Sequence, residues 1–424
     1  MTTITQRLLG ILIALSYVFE ANADEGISFF KGSWAQLLET AQKQGKFIFV
    51  DVYTDWCPPC KQMDKDVLPL PEVGNKYNAL FINYKLDAEK GEGIAIANKY
   101  TVKAYPSYLY LDPQGYLLHR VEGFFSPAPF IAQAEKAITL GAADNPISFL
   151  EKEFKEGNRN SAFLRTYIKK MSSLGLDNTT ALNAYFNVMP GKELSKPEEL
   201  VFMGDHVSST KFQGIPFLMD HYPALNKTQQ QKLAAGFYSR VIYNAAGVAW
   251  KEGRPLEMKQ LKAYMDLLRA DIPSRYNAGM NKLDLLYYGL VKNQPLLKKT
   301  GYVIVKPVSD ISLDSIWAED ERQYQKIMKP FLTGEKDSTN TVGFEEEKKF
   351  IKHQYSGEIS NKLYEVASAF ANSLDAGDMA LTDALKWARR ANLMNPDNAA
   401  IKKLVLQLED VVDPKATVTA PPGF

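Results

Sequence analysis

The stretch Val50-Asp51-Val52-Tyr53-Thr54-Asp55-Trp56-Cys57-Pro58-Pro59-Cys60-Lys61 decides how the N-terminal third of this chain is read. Phe47 to Tyr53 is a near-continuous apolar run, the pattern of a strand buried on both faces. The two cysteines follow at once, spaced to open a helix. A helix N-terminus offers free N–H groups and the positive end of the dipole, and both stabilise a thiolate. Cys57, at the helix start, is therefore expected to be the exposed, low-pKa nucleophile. Cys60, one turn further in, is expected to be the buried resolving thiol. Pro58 and Pro59 are tolerated because first-turn N–H groups have no intrahelical partner.

Magnitudes show what such a site is suited for. Lowering a thiol pKa from about 8.5 to about 7 raises the thiolate fraction at neutral pH roughly 15-fold. Nucleophilicity falls with pKa and removes roughly 5-fold, so attack gains only about threefold. The same shift improves Cys57 as a leaving group. The pair is suited to exchange in both directions.

Cys57 and Cys60 are the only cysteines among the 424 residues. A bridge between them closes a loop too short to restrain much unfolded-chain entropy, which favours chemistry over a structural role. Structural zinc wants four ligands. His119, His206, His221 and His353 make no ligand spacing with the cysteines, so no metal is expected. His119 reads as a surface or edge residue. No cofactor motif is found: there is no phosphate loop, no G-x-S-x-G and no H-E-x-x-H.

Other residues complete the candidate site. Asp51 is an acid within an apolar strand. If buried, its pKa should rise and it could take the proton of Cys60; a solvent-facing strand-end position is the alternative. Trp56 either flanks the nucleophile or is a plain core or edge aromatic. Pro106, in Tyr105-Pro106-Ser107, is placed to be a cis-proline beside the cysteine loop, or an ordinary trans strand-edge proline.

Residues 24–142 alternate strand and helix patterns. Ser33 and Gln36 form a capping-box pair before a helix that Gly45 stops. Ala79 to Asp87 reads as a strand and Gly93 to Tyr100 as a helix. Ser107 to Asp112 and Tyr116 to Val121 form a hairpin across Pro113-Gln114-Gly115. Ser126 and Pro127 open a last helix whose buried face carries Phe130, Ile131, Ala134 and Ile138. The expected fold is a mixed sheet covered by helices on both faces, followed by a larger all-α region.

After Pro146, helical periodicity takes over. Phe149, Leu150 and Phe154 form one stripe, and Phe163, Leu164, Tyr167 and Met171 another. Residues 146–298 read as a helical domain. Residues 299–343 read as a connector with one strand-like run, Tyr302 to Val308. Residues 344–412 are helical again, with Glu345 able to pair with Lys348 or Lys349. Ala384, Ala388, Ala391 and Pro396 fit the second helix of a tetratricopeptide repeat or an ordinary helical hairpin. Residues 413–424 look like a loose tail.

At the N-terminus, Arg7, the twelve-residue apolar run Leu8–Phe19 and Ala21-Asn22-Ala23 have the form of a signal peptide over residues 1–23. Such a run is short for a spanning anchor. The chain is expected to be exported, to the bacterial periplasm. Hydrophobic residues make up 46% and charged residues 23%, with net charge +1, so nothing favours nucleic acid as a partner.

The motif residues closely resemble the thioredoxin superfamily. With Gly45-Lys46 before the strand and Asp64 four residues after Cys60, the pattern is similar to the C-terminal periplasmic domain of the DsbD thiol:disulfide interchange family. The W-C-P-P-C core also occurs in tryparedoxins and TlpA-like thioredoxins. The resemblance covers about 120 residues. It implies a thiol–disulfide oxidoreductase in which Cys57 attacks, Cys60 resolves, Asp51 is the buried acid and Asp64 an auxiliary acid. It also implies that Trp56, Tyr105, Pro106 and Gly123 border the substrate groove. The lysine that neighbours the buried acid in thioredoxins aligns with Asn83 here, and Tyr105 is bulkier than usual. The implied partners are client protein disulfides and an upstream thiol donor or acceptor, a membrane-bound one included. The alternative is a helical protein-binding module to which the redox domain is accessory.

Overall fold

The computed structural model describes residues 26–142, 146–335, 348 and 350–412. The targeting segment, the Glu345 pairing, residues 336–343 of the expected connector and the tail lie outside the described residues. The chain divides into two compact units. The first runs to Glu156 and includes Leu174–Leu176. The second holds Gly157–Ser173 and continues from Asp177.

The first unit is built on four strands: β1 (Phe47–Tyr53), β2 (Phe81–Asp87), β3 (Ser107–Leu111) and β4 (Leu117–Glu122). Their order is β2-β1-β3-β4. β1 runs parallel to β2 and antiparallel to β3, and β3 and β4 form the expected hairpin. The sheet is therefore mixed. Its helices are α1 (Trp34–Gln44), α2 (Pro58–Asp66), α3 (Pro71–Leu80), α4 (Glu92–Lys99), α5 (Pro127–Gly141) and α6 (Ile147–Lys155). The Ser33–Gln36 capping box is formed, and Gly45 takes the left-handed C-cap at φ 61°.

Alternation along β1 divides its side chains between two cores. Phe49 enters an aromatic cluster under α2, α3 and α5, together with Met63, Tyr77, Tyr108, Tyr110 and Phe130. Its ring meets Tyr77 edge-on at 4.7 Å. The Tyr77 hydroxyl shares a 2.7 Å hydrogen bond with that of Tyr110 and donates to the Phe130 carbonyl at 2.9 Å, so the buried hydroxyl of Tyr77 is satisfied. Asp51, two residues on, lies on the same face of β1 as Phe49, the face that α2 covers.

Three expectations about the first unit need correction. The second strand begins at Phe81, because Ala79 and Leu80 complete α3, a helix that the sequence pattern did not reveal. His119 is on the edge strand β4 but is buried. Its Nε2 bonds Gln133 at 2.9 Å, and its ring stacks on Tyr110. Phe149 is 49% exposed, so the buried stripe of α6 runs through Ile147 and Leu150.

The described residues of the second unit are helical. The run Tyr302–Val308 lies inside α7 (Gln294–Ser309) and is not a strand. Its β-branched residues misled, since Gly301, Val305 and Val308 recur at helical spacing on the buried side. α8 (Leu313–Leu332) follows where a connector was expected. α9 (Gln354–Ser373), α10 (Ala380–Met394) and α11 (Ala399–Val412) complete the described residues. Ala384, Ala388 and Ala391 are fully buried on α10. A Cβ on Gly301 would lie 2.5 Å from the Phe370 ring, so only glycine lets α7 and α9 approach this closely.

Replacing Phe49 by Ala should cost about 3–5 kcal/mol. Tyr77→Phe, which removes one hydroxyl, should cost about 1 kcal/mol. Urea denaturation followed by near-ultraviolet circular dichroism would rank the two; equal effects would mean that the cluster is not centred on Phe49.

Candidate active site

The cysteine loop joins the end of β1 to the start of α2. Cys57 is the N-cap of α2 and has extended backbone angles. Its sulfur accepts a hydrogen bond from the Cys60 N–H at 3.2 Å, and Pro58 and Pro59 fill the first turn. The two sulfurs are joined as a disulfide, with Cα atoms 5.3 Å apart. Cys57 is 2% and Cys60 4% exposed, so the expectation of an exposed Cys57 is corrected. In the bonded state its sulfur is joined to that of Cys60.

Two aromatic rings border the disulfide loop. Trp56 is 62% exposed and meets Tyr105 edge-on at 6.0 Å. Its indole N–H donates to Glu89 at 2.9 Å. Lys90 pairs with Asp55 and with Asp87, and the Ala88 N–H donates to the Tyr53 carbonyl at 2.9 Å. The turn after β2 thus braces the segment that leads into Cys57. The Tyr105–Pro106 peptide is cis, and Pro106 is buried. The Pro106 carbonyl accepts from the Gly123 N–H at 2.9 Å. Gly123 has φ +91°, which suits glycine even though a Cβ there would meet open space. Across the loop, the Met63 sulfur of α2 accepts from the Phe125 N–H at 3.4 Å.

Asp51 is 3% exposed, which excludes the solvent-facing alternative. It stands opposite Lys85 on β2 and Tyr108 on β3. The Lys85 ammonium is 3.6 Å from Asp51 and also pairs with Asp64, one turn beyond Cys60 on α2. Lys85 further lies over the Tyr53 ring at 5.0 Å. The resemblance puts the neighbouring-lysine position at Asn83, whereas the structure sets Lys85 beside Asp51. Two residues along a strand keep the same face, so a two-residue offset is hard to see in sequence. Asn83 instead ties β2 to the preceding segment, donating to the Ser28 carbonyl at 3.2 Å and to the Asn78 side chain at 2.9 Å.

Burial pushes the Asp51 pKa up to about 7. The Lys85 cation pulls it down, and the Asp64 carboxylate adds a smaller upward push. The Tyr108 hydroxyl is buried without a hydrogen-bond partner, and burial followed by Asp51 raises its pKa. An acid near neutrality can accept a proton in one half-reaction and return it in the other. Among the described residues, no group of three or more His, Cys, Asp or Glu is placed to hold a metal ion.

A family model for the thioredoxin-like domain matches residues 34–138. Residues 34–138 form a thioredoxin-like domain. It is 31% identical over 106 residues to the thiol:disulfide interchange protein DsbD of Pseudoalteromonas atlantica, a match covering 24% of this chain and 18% of that protein. It is 33% identical over 94 residues to DsbD of Yersinia pestis, covering 22% and 16%. The chain thus spans less than a fifth of the length of these relatives. Among solved structures, the oxidised C-terminal domain of Neisseria meningitidis DsbD matches at 26% identity. That match covers 26% of this chain and 99% of that domain, with a TM-score of 0.23. The thioredoxin-like domain ends before α6, and the helical region that follows lies outside the family match.

The folded-state pKa of Asp51 lies above its value of about 3.9 in an unfolded chain, so ionising it opposes folding. The stability contributed by the protonated acid is full below about pH 4 and is lost as pH rises through 7. Asp51→Asn should therefore stabilise the oxidised protein at pH 8.5 by about 2–4 kcal/mol, with the difference vanishing near pH 4. Urea midpoints at the two pH values would check this; a constant difference would contradict a perturbed acid.

Proposed function

We propose that the protein is an exported, periplasmic thiol–disulfide oxidoreductase that exchanges disulfides with client proteins through Cys57 and Cys60. The observation that carries this reading is the disulfide at the N-cap of α2, on the sheet face that holds the buried Asp51. The printed name of the DsbD relatives supports interchange chemistry. The segment at residues 1–23 supports export.

In the reduced enzyme the Cys57 thiolate attacks a client disulfide. One client sulfur leaves as a thiolate, and a mixed disulfide forms. Asp51 accepts the proton of Cys60, whose thiolate then attacks Cys57. The client's second sulfur leaves, and the enzyme holds the Cys57–Cys60 bond. Two electrons have passed to the client. An upstream dithiol restores the reduced pair by the reverse steps. Direction follows the potential difference with each partner; related sites span about −270 to −120 mV, roughly 7 kcal/mol for two electrons. The cis-Pro106 edge, framed by Tyr105 and Gly123, would pair with client backbone, and the Trp56 ring would cover its side chains. Asp64 would set the charge around Lys85.

A second reading is favoured by one observation: the helical unit is larger than the redox unit. On this reading the helices, with the tetratricopeptide-like hairpin α9–α10, recruit the protein that the redox site serves.

Cys60→Ser should accumulate mixed disulfides with periplasmic proteins, and Cys57→Ser should trap none. Asp51→Asn should slow resolution at pH 7 by about 10²-fold or more. Insulin reduction and non-reducing electrophoresis of trapped adducts check these outcomes. If Cys60→Ser traps nothing and the parent reduces no disulfide, the redox reading fails.

A further inference from the structure

The second unit carries a groove of about 730 Å³ between α7, the start of α8 and α10. Its floor is apolar: Val305 and Trp387 are buried, Leu313 is half-buried, and Leu393 stands 61% exposed at one end. Its rim is cationic. Lys306, Lys386, Arg389 and Arg390 face the groove against only Asp310 and Asp383.

The anions are already engaged. Asp383 accepts from the Tyr302 hydroxyl at 2.8 Å and from Lys386 at 3.2 Å, and Asp310 accepts from Ser309 at 3.1 Å. Of the cations, Lys386 is the one paired with Asp383, at 3.2 Å. Arg389 pairs with Glu409 of α11 at 2.7 Å, but Lys306 has no ion pair among the described residues. Arg390 donates to the Ile311 carbonyl, and its Nε is buried with no hydrogen-bond partner. Among the described residues no carboxylate pairs with Lys306 or Arg390, so these two charges are open to an acidic partner.

From Asp383 to Leu393 the α10 wall is about 15 Å long at 1.5 Å per residue. An extended peptide of about four or five residues spans that length. A nucleic acid would need a longer, uncompensated basic stripe. We propose that this groove binds an extended peptide segment of a partner protein, in which an apolar side chain lies between carboxylates. The apolar side chain packs on Trp387 and Leu393, and the carboxylates meet Lys306, Lys386 and Arg390. Every residue of the site belongs to the second unit, so binding is independent of the disulfide chemistry.

The test uses the full chain and a series of fluorescein-labelled seven-residue peptides with a central Phe and zero, two or four Glu residues, followed by fluorescence anisotropy. The four-Glu peptide should bind at least tenfold more tightly than the neutral one, and 0.5 M salt should remove most of that difference. The double variant Lys306→Glu with Lys386→Glu should weaken the acidic peptide at least tenfold. Leu393→Asp should weaken it too. Both variants change exposed side chains and should keep the parent's thermal midpoint and insulin-reducing rate. Equal affinity across the charge series, no binding of any peptide, or undiminished binding by the double variant would overturn the proposal.

Discussion

The hydrogen bond from the Cys60 N–H to the Cys57 sulfur ties the chemistry of this protein to its fold. It makes the nucleophile's sulfur the cap of a helix, so the atom that reacts also completes the first turn. Everything else in the thioredoxin-like domain holds that turn in place. β1, buried on both faces, delivers the chain to it, and the aromatic cluster around Phe49 fixes the face on which α2 lies. The turn Asp87–Lys90 grips Tyr53, Asp55 and Trp56 ahead of Cys57. A thiolate at this cap would be met by the Cys60 N–H already aimed at it and by the positive end of the α2 dipole.

The same packing explains the proton chemistry. Asp51 is an acid on a face otherwise filled by aromatic rings, and desolvation dominates its ionisation. Lys85 tempers that effect without cancelling it, because its ammonium also serves Asp64. Sharing one cation between a buried and a half-exposed carboxylate keeps the buried one near neutrality, where its protonation state can change during turnover.

Much of this was legible in the sequence, where local chemistry has a strong signature. Ser33 with Gln36, the apolar run Phe47–Tyr53, the cysteine turn and the hairpin at Pro113–Gly115 each specify their own structure at short range. What could not be read depended on contacts distant along the chain. Lys85 is one of many lysines until β2 is set in register against β1. Glu89 and Lys90 look like an ordinary charged turn until Trp56 and Asp55 come to meet them. The exposure of Cys57 was misjudged because burial of a side chain depends on tertiary packing that the local motif does not show. In the second unit, α7 was obscured by β-branched residues whose packing against Phe370 overrides their strand preference.

Having two cysteines and no others has a consequence for how the chain matures. Four cysteines allow three pairings and six allow fifteen, but two allow one. In an oxidising compartment this chain cannot cross-link itself wrongly, and its one bridge spans a single helical turn that local backbone geometry assembles. Oxidation can therefore come before, during or after the folding of the helical unit without trapping a misfolded form.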